Sequence, residues 1–390
     1  LTNRFDEVVD RRGSGCFKYD ALQMLYGRSD LLSLWVADMD FTVSDEIQKA
    51  LADRLAHPVF GYNLRMDDFY RAIGDWQQKR FGWTTQREWI VAVPGIVPGI
   101  SLAVLALTDP GDGIVIQTPV YRPFYDAVID HKRQLLSSSL INRDGKYTID
   151  WDDFEAKLKQ AKMFILCNPH NPVGRVWSKE ELLKMGALCK KHKVIVFSDE
   201  IHADIVYPGF KHCPISSLED FGDFCITGIS PAKSFNVAGL ATAVLMIPNN
   251  DLREKVGGLN NKLHLFMGNS FGIRAVVAAY QDSEAWLEEL LAYLDGTRKL
   301  IIEFVANELK TVTLSPIEST YLAWMDFKAW GLSDKQLMDV FVNEALLALD
   351  PGDKYGEDGS GFMRLNFGCS RTIVREALTR IKAIESRYLA

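Results

Sequence analysis

Basic charge is scarce in this 390-residue chain: 44 Lys and Arg stand against 51 Asp and Glu, a formal net charge of −7. A nucleic acid as main partner is therefore not expected, because a basic surface normally supplies that affinity. Cysteine is sparse and scattered (Cys16, Cys167, Cys189, Cys213, Cys225, Cys369), and no pair has the C-x-x-C spacing. A disulfide framework suits short secreted chains and zinc wants clustered ligands. Neither is expected, no metal site is expected, and the chain reads as a reduced, cytoplasmic protein. Long hydrophobic runs are also missing. The most apolar stretch, residues 100–107, is too short to cross a bilayer. The first ten residues carry Asp6, Glu7 and Asp10 around no apolar core, so no signal peptide is expected there. No repeat and no Ser/Gly/Pro-rich linker divides the chain. With 47% hydrophobic and 24% charged residues, a disordered or collagen-like chain is excluded.

What is present is alternation. Short apolar runs at 113–117 (GIVIQ), 163–167 (MFILC), 194–197 (VIVF) and 224–229 (FCITGI) read as buried strands. Helix-length segments lie between them, such as 178–192, where Ser178 and Glu181 form a capping-box pattern. Strand–helix–strand order predicts an α/β fold whose mostly parallel sheet is covered on both faces. After about Asp282 the pattern changes to a long helix (283–310), a strand-like run (321–327) and a terminal helix (371–387). The expected division is a large domain over 42–282. A smaller α/β domain is built from 283–390 together with 1–41.

Sites in open α/β sheets sit at the carboxyl ends of strands, and the polar punctuation of this chain falls there. Asn171, between Pro169 and Pro172, is conformationally restricted and able to donate to a fixed oxygen; alone it also reads as an ordinary turn. Asp199 follows the VIVF run, where a buried carboxylate needs a cationic or protonated partner, although an N-cap would look the same. His202 lies one turn further on and reads equally as a structural histidine. Lys233 follows FCITGI among small and hydroxyl residues, where desolvation would make its amine a nucleophile. A lone lysine is otherwise a surface charge. Ser230, three residues earlier, could hold an anion beside that amine. Gly95, Ile96 and Val97 open an apolar helix, a possible phosphate cradle without the G-x-G-x-x-G or Walker pattern. An amine, an acid for a ring nitrogen, a donor for a ring oxygen and a phosphate cradle are the four requirements of pyridoxal 5′-phosphate (PLP).

The stretches WVADMDF (35–41), HPVFGYN (57–63), TPVYRPF (118–124), NPHNPVG (168–174), SDEIHADIVYPGFKHCPISSL (198–218), SPAKSFNVAGL (230–240) and MRLNFG (363–368) carry a resemblance over nearly the whole chain. The sequence resembles fold-type I PLP-dependent enzymes of the class I/II aminotransferase superfamily, and within it the cystathionine β-lyase / carbon–sulfur lyase branch. The resemblance implies the PLP-dependent transferase-like fold and β-elimination from a sulfur amino acid such as L-cystathionine, with transamination as the rival outcome. A PLP-binding protein with an added regulatory role is a further alternative. It also implies that Lys233 forms the Schiff base and removes the α-proton, Asp199 pairs with the ring nitrogen, Asn171 faces the ring hydroxyl and Tyr121 stacks on the ring. Gly95, Ile96, Val97 and Ser230 would hold the phosphate, and His202 would stand where many aminotransferases have a tyrosine. Arg364, with Asn171, would clamp the substrate carboxylate. Tyr62 would reach in from the neighbouring subunit of a homodimer with shared active sites. Ala241 occupies the place of a phosphate-binding arginine in many aminotransferases, and Arg122 is expected to compensate. Trp35, Asp38 and Tyr355 are expected at the entrance.

Overall fold

The computed structural model describes residues 3–388. The strands of its two main sheets are numbered β1–β11 in chain order. The larger sheet comprises β1 (Ile90–Val93), β2 (Gly113–Thr118), β3 (Gln134–Ser139), β4 (Ala161–Cys167), β5 (Ile195–Asp199), β6 (Cys225–Ile229) and β7 (Ala243–Met246). Their spatial order is β1-β7-β6-β5-β4-β2-β3. The pairings from β3 through β6 are parallel, while β7 runs antiparallel to both of its neighbours. The four strands expected from apolar runs are all present. Strands β2 and β6 are buried at every position, and β4 and β5 at all but one, as a sheet covered on both faces requires.

The helix expected at 178–192 spans Lys179–His192. Ser178 Oγ accepts from Glu181 N–H while the Glu181 carboxylate accepts from Ser178 N–H, which completes the capping box. The long helix is Glu284–Glu308 and the terminal helix Arg371–Glu385.

The smaller sheet comprises β8 (Thr313–Leu314), β9 (Leu322–Asp326), β10 (Asp350–Pro351) and β11 (Phe362–Asn366), in the order β8-β9-β11-β10. A short parallel pair, Leu32–Ser33 with Leu347–Ala348, ties the N-terminal segment to this part of the chain. The two parts are joined by a continuous apolar core rather than by a solvent gap. Phe69, Trp76, Ile273 and Tyr280 belong to the same buried cluster as Leu287, Leu294, Leu322 and Leu378. The pocket described next lies between the sheet edge and residues 35–41, with Ala37 in its wall.

Candidate active site

The carboxyl ends of β1, β2, β4, β5 and β6 converge on a cavity of about 230 Å³ whose wall includes Gly95, Ile96, Val97, Tyr121, Asn171, Asp199, His202 and Lys233. Eight of the residues expected from the sequence are thereby brought together. The register explains the placement, because Cys167 and Gly228 flank Asp199 on the neighbouring strands. Gly228 has a steric role here. A Cβ on it would meet Ile96 Cδ1 at 3.1 Å and Phe197 Cζ at 3.3 Å, so its absence lets the start of the Ile96–Leu107 helix approach the sheet.

That helix has Gly95 as its N-cap and no capping side chain. The first amides of a helix have no intrahelical acceptor and carry the positive end of its dipole. Ile96 and Val97 therefore offer N–H groups to an anion at the cavity wall.

Asp199 is 5% exposed and accepts from Ile201 N–H at 3.1 Å. Burial pushes its carboxyl up to about 7; the Ile201 hydrogen bond and the Lys233 charge act the other way, and nearby Glu200 adds to the rise. No side-chain cation forms a direct ion pair with it among the described residues. Glu200 points to the opposite face of the sheet, where His212 Nε2 lies 2.8 Å away and Ser198 Oγ donates at 2.9 Å. Lys233 Nζ donates to the Ala37 carbonyl at 2.6 Å. Burial lowers its ammonium to about 8, with Asp38 opposing, Arg364 assisting and Asp199 opposing. His202 is held neutral, first by burial and then by the Lys233 and Arg364 charges, and its Nδ1 has no partner. Burial also raises the Tyr121 phenol, so its ring faces the cavity uncharged.

Arg364 is 2% exposed and lies behind the cavity wall, against Asn171. In β11 it lies between Trp324 of β9 and Asp350 of β10. Its Nη2 donates to Asp350 Oδ2 at 3.0 Å and to the Trp35 carbonyl at 2.8 Å, and its Nη1 donates to Asn171 Oδ1 at 3.1 Å. Its Nε is buried without a partner. Asn171 therefore spends its oxygen on Arg364 and turns its amide nitrogen to the cavity.

Further residues singled out in the sequence lie outside this cavity wall. Ser230 Oγ donates to the Thr242 carbonyl at 2.8 Å and accepts from Ala232 N–H. Arg122, expected to compensate for the missing phosphate-binding arginine, is exposed, outside the cavity wall and paired with Asp126 at 2.8 Å, where the i,i+4 carboxylate and solvent satisfy its charge. Trp35 and Tyr355 are buried beneath the site: Trp35 Nε1 donates to the Lys18 carbonyl, and Tyr355 Oη to Asp350. Ala37 forms the wall in their place. Tyr62 is 93% exposed and lies in a different surface cleft, with His57 and Arg54.

The sequence pattern of the family Aminotransferase class I and II matches residues 29–381. The chain belongs to that family. Among curated proteins, this family member is 43% identical over 382 residues to cystathionine beta-lyase PatB of Bacillus subtilis, covering 97% of this chain and 99% of PatB. Among solved structures it matches cystalysin from Treponema denticola, which contains a pyridoxal 5′-phosphate cofactor. The TM-score is 0.96 at 31% identity, over 99% of this chain and 100% of cystalysin. It also matches the PLP-bound C–S lyase from Staphylococcus hominis, with a TM-score of 0.91 at 33% identity over 98% of each chain.

Two residues that sequence reasoning missed now stand out. Asp350 pairs with the arginine, and Tyr321 Oη donates to the same Ala37 carbonyl that Lys233 uses, at 3.0 Å. Neither carries a local signal: Asp350 meets Arg364 through strand register, and Tyr321 meets Ala37 only through the folding of distant segments. Among the described residues no helix is long and apolar enough to cross a membrane, and no cluster of three or more potential ligands could hold a metal ion.

Proposed function

We propose that this chain is a PLP-dependent carbon–sulfur lyase that converts L-cystathionine, with water, to homocysteine, pyruvate and ammonia. Cysteine or cysteine conjugates would react in the same way. The observation that carries the reading is the buried Asp199, raised to about 7 with no ion-pair partner among the described residues, set across one cavity from a lysine lowered to about 8. A carboxylate in that position suits a ligand that brings its own proton on a ring nitrogen. The uncapped helix start suits a phosphate, and the free amide of Asn171 suits a ring oxygen, so the residues present fit the cofactor. Ser230 contributes by holding Ala232 and Thr242 in place rather than by a free hydroxyl. When bound, PLP supplies an aldehyde that condenses with amines and a protonated ring that withdraws the electron pair left when a Cα–H bond breaks.

The chain's own residues do the rest. Arg364, oriented by Asp350 and Asn171, offers its unpartnered Nε to the substrate carboxylate. Lys233, lowered to about 8, is neutral in about one molecule in ten at pH 7, far more than an ordinary lysine, and would take the α-proton on Nζ. Asp199 would hold the ring proton and Tyr121 would cover one ring face, with His202 neutral beside them. Proton loss at Cα then drives out the sulfur at Cβ, and water completes the conversion to pyruvate and ammonia.

The exposed apolar stretch Leu55, Val59, Phe60, Tyr62, Leu64 and Met66 supports a homodimer in which Tyr62 completes the neighbour's site. The two-domain division at 42–282 against 1–41 with 283–390, and a cytoplasmic location suited to six free cysteines, belong to the same proposal.

The test is incubation of PLP-loaded protein with L-cystathionine and no keto acid, assaying pyruvate and free thiol. Steady formation of both over many turnovers is expected. A single equivalent, with the cofactor left as pyridoxamine phosphate, would show an aminotransferase instead.

A further inference from the structure

Residues 35–41 pass the cavity, with Ala37 in its wall, as a strap whose main-chain oxygens are nearly all claimed by side chains. Arg364 holds the Trp35 carbonyl, Asn366 Nδ2 holds those of Val36 and Asp38, and Asn236 Nδ2 holds those of Met39 and Phe41. The Ala37 carbonyl is the exception in kind. It is shared by Lys233 Nζ at 2.6 Å and Tyr321 Oη at 3.0 Å. Tyr321 is fully buried just before β9, its main-chain oxygen accepts from Phe367 N–H, and its ring stands edge-on to His202 at 6.0 Å. The phenol therefore has a fixed direction.

We propose that Tyr321 is a positioning residue for Lys233, acting through the Ala37 carbonyl to keep the lysine amine neutral and aimed. The inference rests on Lys233 being the reactive amine. Two donors that meet at one oxygen place their positive ends side by side. A neutral amine tolerates this, whereas an ammonium is repelled by the hydroxyl dipole and obtains less from an oxygen already engaged. The other charged and titratable groups facing Lys233 are Asp38 on the strap, Asp199 at the end of β5, His202 after it and Arg364 on β11. Asp38 and Asp199 favour the ammonium and Arg364 opposes it, so the Tyr321 hydroxyl adds to the side that keeps the amine free.

The test is competitive labelling of the cofactor-free full chain with acetic anhydride over a pH series, reading the acetylated Lys233 peptide by mass spectrometry. Tyr321→Phe is expected to move the Lys233 midpoint up by about half to one unit, leaving roughly three- to tenfold less neutral amine at pH 7. In the loaded enzyme the acid limb of kcat for pyruvate release is expected to move by the same amount, with KM little changed. Tyr207→Phe serves as the control, because that equally buried hydroxyl donates to the Thr320 carbonyl and does not touch Ala37. Its Lys233 midpoint is expected to stay put. If Tyr321→Phe does not fold, 3-fluorotyrosine at position 321 decides: a stronger donor of nearly the same shape is expected to move the midpoint down. An unmoved midpoint in Tyr321→Phe, an equal shift in Tyr207→Phe, or no downward shift with fluorotyrosine overturns the proposal. Failure of the wild type to form pyruvate would count against the lyase reading alone, because the labelling needs neither cofactor nor substrate.

Discussion

Replacing Asp199 with Asn is expected to do opposite things to the empty and the loaded protein. In the empty protein burial raises the carboxyl from 3.8 to about 7. A shift of roughly three units is worth about 4 kcal/mol at 1.36 kcal/mol per unit. The folded value is the higher one, so folding favours the protonated acid. The penalty is absent below the unfolded value, grows as pH rises from about 4 to about 7, and is full above that. The Asn variant lacks this titration. Its amide keeps an acceptor for Ile201 N–H but brings a new buried donor, a cost of about 1–3 kcal/mol that does not vary with pH. Lys233 titrates in both proteins and largely cancels from the difference. Without cofactor, the variant is therefore expected to gain about 2–4 kcal/mol on the wild type between pH 4 and pH 8, read by denaturant unfolding at each pH. With PLP the order reverses, because the ring proton pairs with the carboxylate. The cofactor-induced rise in melting temperature is expected to shrink in the variant, and turnover to fall by about 10²-fold or more. A stability difference that stays flat from pH 4 to pH 8 would refute the reasoning, since it would mean that Asp199 has a partner in the empty site.

Arg364→Lys keeps the charge but cannot span Asp350, Asn171 and the Trp35 carbonyl at once. KM for the amino-acid substrate is expected to rise about 10- to 100-fold, while PLP affinity, read by titration, changes by no more than about twofold. Tyr62→Ala and Lys233→Ala chains are each expected to be nearly inactive alone, yet to recover about a quarter of wild-type activity when refolded together. Half of such dimers pair one chain of each kind, and each of those holds one site with both residues intact. No recovery would place Tyr62 in its own subunit's site or outside any site.

The legible part of the fold was the part with long apolar runs. Strands β2, β4, β5 and β6 lie at the centre of the sheet and are buried almost throughout, so composition alone marks them. Strand β3 reads QLLSSS and alternates in burial because it pairs on one side only, which gives no continuous run. Strand β7 reads AVLM and is too short to distinguish from a buried turn of helix. Tyr121, Asn171, Asp199, His202 and Lys233 were legible because each follows a readable strand end, whereas Gly95, Ile96 and Val97 showed only as the glycine-led start of an apolar helix. Arg122 was misplaced because charge in a loop gives no direction, and the i,i+4 carboxylate of Asp126 takes it outward. Asp350 was invisible because its partner Arg364 lies across β-strand register, and Tyr321 because its partner Ala37 lies in an irregular segment 284 residues away in sequence.

The two neighbouring carboxylates at the end of β5, Asp199 as its last residue and Glu200 just beyond it, show how the fold turns a sequence pattern into chemistry. Asp199 and Glu200 have the same charge and are 5% and 2% exposed, so burial does not separate them. Strand alternation does, because successive side chains point to opposite faces. Glu200 shares a face with Ser198 and meets that hydroxyl, His212 Nε2 and the amide of Ile215, which use both of its oxygens. Asp199 meets one amide and the open cavity. A buried carboxylate left that poorly satisfied costs stability, and a sequence under selection for stability alone would have replaced it or paired it as Glu200 is paired. Its persistence opposite an equally frustrated lysine means that both charges are held for a ligand that satisfies them together. Activity at this sheet edge is therefore a consequence of what the protein leaves unpaired.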